Sequence, residues 1–356
     1  MISYQVQAFS QPLQAIEHAA PEPQGDECLL NVVAAGVCHT DIHTWHGWYD
    51  LGNGNRLSMQ ERGINLPLTL GHEIVGQVIK APIGSRLQAG RNYLVYPWIG
   101  CGQCKTCRRG DDQLCPTPRF LGIFRPGGYA EHVLVPHEKY LIDIGNLPPA
   151  QAAPYACSGL TTFSAIRKIN PRVLHEETIV VVGAGGLGLM AVSLLKALGA
   201  PRIIVLETHP ERRQAAEHAG AFQALDPARP DLADAVRTLA GGGVWAVIDC
   251  VGSDQTVQQA LDLLIKGGQL ILVGLFGGAI TLPVPLVPIR AISLQGSYVG
   301  RLDELQALMD LVKSGAIAPI PVTCCPLYHA PRALKNLEDG NVTGRTVLQP
   351  WSPTPP

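Results

Sequence analysis

The sequence predicts an α/β protein in two parts, a β-rich first part followed by a doubly wound parallel sheet, and three observations predict it. The chain has 356 residues, and at roughly 150 residues per domain that length points to two domains. Short alternating runs such as Leu29-Leu30-Asn31-Val32-Val33 and Ile74-Val75-Gly76-Gln77-Val78-Ile79, punctuated by Gly and Pro, give the first part the texture of a sandwich or barrel. From Thr178 the rhythm changes to apolar strands alternating with helical patterns, which implies βαβ units.

The strands of the second part are expected at 179–182, 203–206, 246–249 and 270–274. Between them, apolar residues at helical spacing mark helices at 187–198, 211–219, 231–239 and 256–265. Beyond Gly300, residues 302–315 read as a further helix and 343–348 as a returning strand before a Pro-rich tail.

Composition narrows the function classes. With 46% hydrophobic and 16% charged residues the chain buries a large core, which excludes a disordered or fibrous protein. The formal charge is −2 and no basic run occurs, so nucleic acid is not an expected partner. The first residues lack the charged and apolar regions of a signal peptide, and no apolar stretch is long enough to span a bilayer. Ten cysteines, four of them between 101 and 115, point to metal ligands in a reducing compartment, so the expected location is cytoplasmic.

Gly183-Ala184-Gly185-Gly186-Leu187-Gly188 follows the strand 179–182 and opens a helix. The first two glycines allow a tight turn and close approach of a pyrophosphate, the third lets helix and strand pack, and the helix N-terminus supplies N–H donors. Glu207 closes the next strand 19 residues after Gly188, where a carboxylate accepts both ribose hydroxyls of NAD and repels a 2′-phosphate. Arg212 and Arg213 lie close by in sequence and leave NADP open. This is the fingerprint of a Rossmann-type dinucleotide site.

Cys101, Cys104, Cys107 and Cys115 have the spacing of a closed tetrahedral Zn2+ site, which is structural because it leaves no ligand position vacant. An iron–sulfur cluster and free thiols or disulfides are the competing readings. Lys105, Arg108 and Arg109 are interleaved where they would offset the charge of four thiolates. A catalytic zinc needs three protein ligands and an open fourth position, and Cys38, His72 and Cys157 are the candidates outside the closed knot. Their spacing alone does not join them.

The run Cys38-His39-Thr40-Asp41-Ile42-His43, the Gly71-His72-Glu73 segment, Cys157-Ser158-Gly159, the four-cysteine lobe and the glycine turn occur in the order that resembles the zinc-dependent alcohol dehydrogenases of the medium-chain dehydrogenase/reductase superfamily. The resemblance covers nearly the whole chain and is nearest to the tetrameric yeast and bacterial enzymes. It implies a GroES-like catalytic domain over 1–155, completed by 300–356, and a Rossmann cofactor domain over 156–299, with the active site between them. It implies two zinc ions per subunit, NAD, a small-molecule alcohol or carbonyl substrate, and a homo-oligomer, a tetramer before a dimer.

The resemblance also implies roles. Cys38, His72 and Cys157 would hold the catalytic zinc, and two thiolates with a neutral imidazole would leave that centre neutral. Thr40 would take the alcohol proton and His43 would exchange it with solvent. Asp41 would orient His72, and Glu73 would support the metal from behind. His39 and Arg345 would approach the pyrophosphate, Arg212 the adenosine ribose and Val273 the nicotinamide, with Trp48 and Trp98 as pocket walls. A polyol or amino-alcohol dehydrogenase is the alternative; such enzymes tend to carry a carboxylate where Cys157 stands. A non-catalytic protein on this fold would be expected to lack Thr40 or a ligand.

His18, His137, His175 and His218 belong to no motif, nor do Cys28, Cys250, Cys324 and Cys325. Pro82 and Gly90-Arg91-Asn92 depart from the family's usual turns. Gly71 lies 28 residues after His43, longer by about a dozen than in the relatives, so an insertion is expected over 50–65, bordering the substrate entrance and shaping specificity.

Overall fold

The computed structural model describes residues 1–351; the last part of the expected Pro-rich tail lies outside the described residues. The six-stranded sheet of the second part has the spatial order Gln223–Leu225, Arg202–Leu206, Thr178–Val182, Val244–Asp249, Leu264–Leu272, Ser293–Gly296, and every pair is parallel. The order reverses between Thr178–Val182 and Val244–Asp249, and ligands of doubly wound sheets bind in the crevice outside that switch point.

Both faces of this sheet are covered. Ile179, Val181, Ile203, Val205 and Ile248 belong to the main apolar core, while Val180, Val182, Ile204, Leu206 and Val247 belong to a second core on the opposite face. That explains why the strands read as unbroken apolar runs. The expected helices are present as Gly186–Ala197, Pro210–Ala219, Leu232–Ala240, Asp254–Leu263 and Leu302–Lys313. The strands Gln223–Leu225 and Ser293–Gly296 were absent from the sequence reading; three and four residues are too few to show a period.

The β-rich part is built on a seven-stranded sheet whose path runs Leu141–Asp143, Asn92–Val95, Glu73–Lys80, Cys28–Gly36, Arg345–Gln349, Val322–Pro326, with His132–Val135 also paired to Cys28–Gly36. Val347 opposes Gly36 and Leu348 opposes Ala35, so the chain returns to its first sheet at its end. A three-stranded sheet, Gln14–Glu17, Ile2–Val6 and Leu68–Thr69, completes this part.

The first part of the expected insertion, 50–65, lies in a two-stranded hairpin, Trp48–Gly52 with Asn55–Ser58. Its turn is Asn53-Gly54, with φ of 54° and 77°. Two successive left-handed residues are what a tight two-residue hairpin requires, and Asn-Gly is the pair that supplies them most readily. The tip reaches the other side of the cleft, where a side chain at Gly52 would collide with Gly278 and Ala279. None of the described helices is long and apolar enough to cross a membrane.

Candidate active site

The helix His39–His46 begins on Cys38, and Asp41 caps it: Cys38 N–H donates to Asp41 Oδ2 at 2.9 Å. The same carboxylate accepts from Gly71 N–H at 3.2 Å and lies 3.1 Å from His72 Nδ1, both through Oδ1. The hydroxyl of Tyr129 donates to Oδ2 at 3.0 Å. One fully buried carboxylate therefore fixes the backbone of Cys38 and the ring of His72 together. Tyr129 was missed by sequence reading, since a lone tyrosine between strands carries no pattern.

A second buried carboxylate does the same for Cys157. Ser158 N–H, at the start of the helix Ser158–Ile166, donates to Glu73 Oε1 at 3.2 Å, and Arg345 Nη2 donates to the same oxygen at 2.9 Å. Burial pushes Glu73 up to about 7 against the pull of Arg345.

These supports bring Cys38, His72 and Cys157 together, with their ligand atoms all within 4.8 Å of one another and all three residues buried. The two sulfurs are 4.0 Å apart. His72 Nε2 is buried without a hydrogen-bond partner, aimed at the space between them. The bond between the thiols holds Cys38 well below the ordinary thiol range and Cys157 well above it. Two sulfurs and an orphaned imidazole nitrogen in one buried triangle fit a zinc ion with one coordination position left open.

The four-cysteine lobe also closes on itself, its sulfurs within 4.8 Å of one another. Cys104 Sγ lies 3.5 Å from Cys107 Sγ and 3.9 Å from Cys115 Sγ. The sulfurs accept backbone N–H groups, among them Cys104 N to Cys101 Sγ and Cys107 N to Cys104 Sγ, each at 3.4 Å. Lys105, Arg108 and Arg109 are exposed, and Arg109 pairs with Asp111 at 2.7 Å. Hydrogen bonds to the sulfurs come from peptide N–H groups, and none comes from the three cations among the described residues.

The glycine turn faces the cysteine pair across the cleft. Gly183 has φ of 86°, and a side chain on Gly188 would strike the Gly183 carbonyl. Gly185 meets only open space, so a side chain there would fill the cradle itself. This fits a dinucleotide pyrophosphate. Glu207 is buried at the end of its strand, with Oε2 accepting from Ala184 N–H at 2.7 Å and Oε1 from His209 N–H at 2.9 Å. Arg213 is engaged by the Glu207 and Thr208 carbonyls and by Asp226. Arg212 bonds the Gly340 carbonyl and lines the cleft.

Of the other expected residues, His39, Thr40, His43, Trp98, Leu187, Val273 and Arg345 line the same cleft. Thr40 and His43 are one helical turn apart, and burial pushes His43 down to about 4. Trp48 is not in the wall: its ring lies under Arg56, 3.7 Å from the guanidinium carbon. Side chains alternate along the hairpin strand, so its neighbour Tyr49 takes the cleft position, with its ring 4.8 Å from that of His43. Cys250, read as structural, also lines the cleft, as do Tyr298 and Phe276.

Comparisons with known proteins agree along the chain. Residues 24–146 match the family described as alcohol dehydrogenase GroES-like domain, and residues 186–314 match zinc-binding dehydrogenase. The NAD-dependent alcohol dehydrogenase of Saccharolobus solfataricus is 38% identical over 347 residues, 96% of this chain and 98% of that protein. The D-arabinose 1-dehydrogenase (NADP(+)) of the same organism is 32% identical over 96% of this chain and 95% of its own length. The crystal structure of the alcohol dehydrogenase from Aeropyrum pernix superposes with a TM-score of 0.87 at 31% identity, covering 98% of this chain and 100% of that one. With two family matches and full-length relatives in agreement with the geometry, the chain belongs to the zinc-dependent alcohol dehydrogenases of the medium-chain dehydrogenase/reductase superfamily.

Proposed function

We propose that this chain oxidises primary or secondary alcohols reversibly to aldehydes or ketones with NAD. The observation that carries the reading is the buried Cys38, His72 and Cys157 triangle facing the glycine turn across one cleft. When bound, zinc supplies Lewis acidity toward the alcohol oxygen and NAD supplies the hydride acceptor. Cys38, His72 and Cys157 would hold the catalytic ion, and Cys101, Cys104, Cys107 and Cys115 the structural one. The substrate carbon gives up a hydride and its oxygen a proton. Thr40 takes that proton through its hydroxyl and His43 passes it on; burial pushes His43 down to about 4, so it is neutral at pH 7 and would hand the proton on to solvent without keeping it.

His39, Arg345 and the turn Gly183, Gly185, Gly186, Leu187 and Gly188 would hold the dinucleotide, with Glu207 and Arg212 at its adenosine end and Val273 at its nicotinamide. The same reading divides the chain into a catalytic unit, 1–155 completed by 300–356, and a cofactor unit, 156–299. Residues Ser293–Gly296 form an exposed sheet edge that carries exposed Leu294 and is preceded by exposed Leu286 and Ile289, which supports a homo-oligomer, and by family resemblance a tetramer. Ten cysteines with no disulfide among them support a cytoplasmic location.

The test is a panel of primary, secondary and aromatic alcohols assayed with NAD and NADP at the reduced nicotinamide band, with elemental analysis of the purified protein. Two zinc ions per chain and NAD-linked turnover are expected. One zinc per chain in active protein would overturn the mechanism.

A further inference from the structure

The turn that follows the hairpin carries a cation that the chemistry above does not use. Arg62 sits in the turn after Asn55–Ser58, its N–H donating to the Ser58 carbonyl at 3.2 Å. Its side chain is anchored by Nη1 donating to the sulfur of fully buried Met59 at 3.5 Å. The guanidinium lies over the Tyr49 ring, 5.2 Å from its centroid. It also stands beside the Tyr298 phenol, drawing that group down against the burial that pushes it up to about 12. Among the described residues, no carboxylate comes within ion-pair distance of Arg62.

Arg62, Tyr49 and Tyr298 line a cavity that continues the cleft, the two sharing Tyr49, Gly274, Leu275 and Tyr298 as walls. The Tyr49 ring lies tilted against His43 with centroids 4.8 Å apart, and Tyr298 lies 6.4 Å from Trp98. The cation is thus one aromatic ring beyond the residues around the candidate zinc. Two carboxylates, Asp50 and Asp254, belong to the same cavity, but both are exposed, stand against Gly277 and Gly278, and form no ion pair with Arg62. A half-buried guanidinium with two hydroxyl groups beside it and no acidic partner is a complement to an anion, and its planar donor fork matches a carboxylate.

We propose that Arg62, flanked by the Tyr49 and Tyr298 hydroxyls, is a carboxylate anchor in the substrate pocket, so that the preferred alcohols are hydroxycarboxylic acids whose acid group is remote from the carbinol carbon. The inference rests on the alcohol-oxidising reading. In the step itself the carbinol carbon loses its hydride to NAD and the hydroxyl loses its proton, while the carboxylate is unchanged.

The experiment compares ω-hydroxy acids from hydroxybutanoate to hydroxydecanoate with the 1-alkanols of equal length, in wild type, Arg62→Leu, Arg62→Lys and Tyr298→Phe. Wild type is expected to favour the acids. Arg62→Leu should lower the ratio of kcat/KM for acid over neutral alcohol by roughly 10- to 100-fold, the size of a lost hydrogen bond to a charged group, mainly through KM. Arg62→Lys should recover part of that ratio. Calorimetric binding of 6-hydroxyhexanoate without dinucleotide should weaken in parallel, and circular dichroism checks that each variant folds.

Equal ratios in wild type and Arg62→Leu, or a wild type that favours the neutral alcohols, would overturn the anchor while leaving alcohol oxidation intact. Arg62-dependent binding of the acid without turnover of any alcohol would instead support the anchor and overturn the oxidation.

Discussion

Arg345 donates Nη2–H to Glu73 Oε1 at 2.9 Å, with the two side chains 4% and 0% exposed. That bond joins the last strand of the fold to the residue that follows His72. The same guanidinium lies against Gly186 of the glycine turn, where an added β-carbon would come within 3.0 Å of it. The family resemblance assigned Arg345 to the pyrophosphate alone. Its position gives it a second task, since Glu73 in turn holds the helix that begins after Cys157.

Removing that cation leaves a buried carboxyl without its partner, and burial, which already holds Glu73 at about 7 against the pull of Arg345, then keeps it protonated at neutral pH. Arg345→Leu is therefore expected to destabilise the fold by about 1–3 kcal/mol in chemical denaturation, and Arg345→Leu combined with Glu73→Gln should recover part of the loss. Simple additivity of the two substitutions would show that the pair is not coupled.

Asp41 is the common support of Cys38 and His72, so its loss should be read in the metal rather than in the core. Asp41→Asn is expected to weaken retention of one zinc equivalent by about 10- to 100-fold in chelator competition. Tyr129→Phe removes one of four groups on that carboxylate and should have a smaller effect of the same sign. Zinc retention unchanged in Asp41→Asn would show that His72 is oriented by other means.

The glycine turn with Glu207 and the four-cysteine lobe were legible because each is a contiguous run whose spacing is its geometry. Cys38, His72 and Cys157 were not, because no local spacing predicts which loops a β-rich sheet folds together; only family resemblance joined them. Trp48 was misplaced for a narrower reason. Family resemblance named it as a wall, and a resemblance carries no strand register by which to choose between two adjacent aromatics. Asn53-Gly54 was the available signal: it fixes a tight hairpin and with it the alternation that turns Tyr49 to the cleft and Trp48 to Arg56. Arg62 and Tyr298, which meet from opposite sides of the cleft, have no signature in either segment.

His43 should leave a mark on stability against pH. Its ordinary value is 6.5 and burial pushes it down to about 4, so the unfolded chain takes up the proton first on acidification. The stabilisation from keeping it neutral is complete above pH 6.5 and is lost as pH falls toward 4. The thermal midpoint of His43→Gln should fall less steeply than that of wild type across this window, and parallel curves would contradict the burial.

The two metal centres should separate by variant. Cys104→Ser is expected to lose one zinc equivalent together with several kcal/mol of stability, because binding at a closed site contributes to folding. Cys38→Ala should retain that zinc and the thermal midpoint that depends on it while losing turnover. Full activity in Cys38→Ala would remove it from the catalytic ligands.

The proposed dinucleotide site puts Glu207 at the adenosine ribose, which makes it the residue to test for dinucleotide choice. Its carboxylate is locked by the Ala184 and His209 N–H groups at the point where a ribose would lie, and the neighbouring cation offers no relief because Arg213 is bonded to two carbonyls and Asp226. A 2′-phosphate would thus meet the Glu207 carboxylate with Arg213 already engaged, leaving Arg212 as the cation that lines the cleft. Glu207→Ser is expected to raise kcat/KM for NADP relative to NAD by at least about tenfold, the ratio that a difference of about 1.4 kcal/mol produces. Adding Asp226→Asn, which releases one of the three bonds on Arg213, should raise it further. If the double variant discriminates against NADP as strongly as wild type, the selectivity resides elsewhere in the cleft, and Arg212 at the Gly340 carbonyl is the next side chain to change.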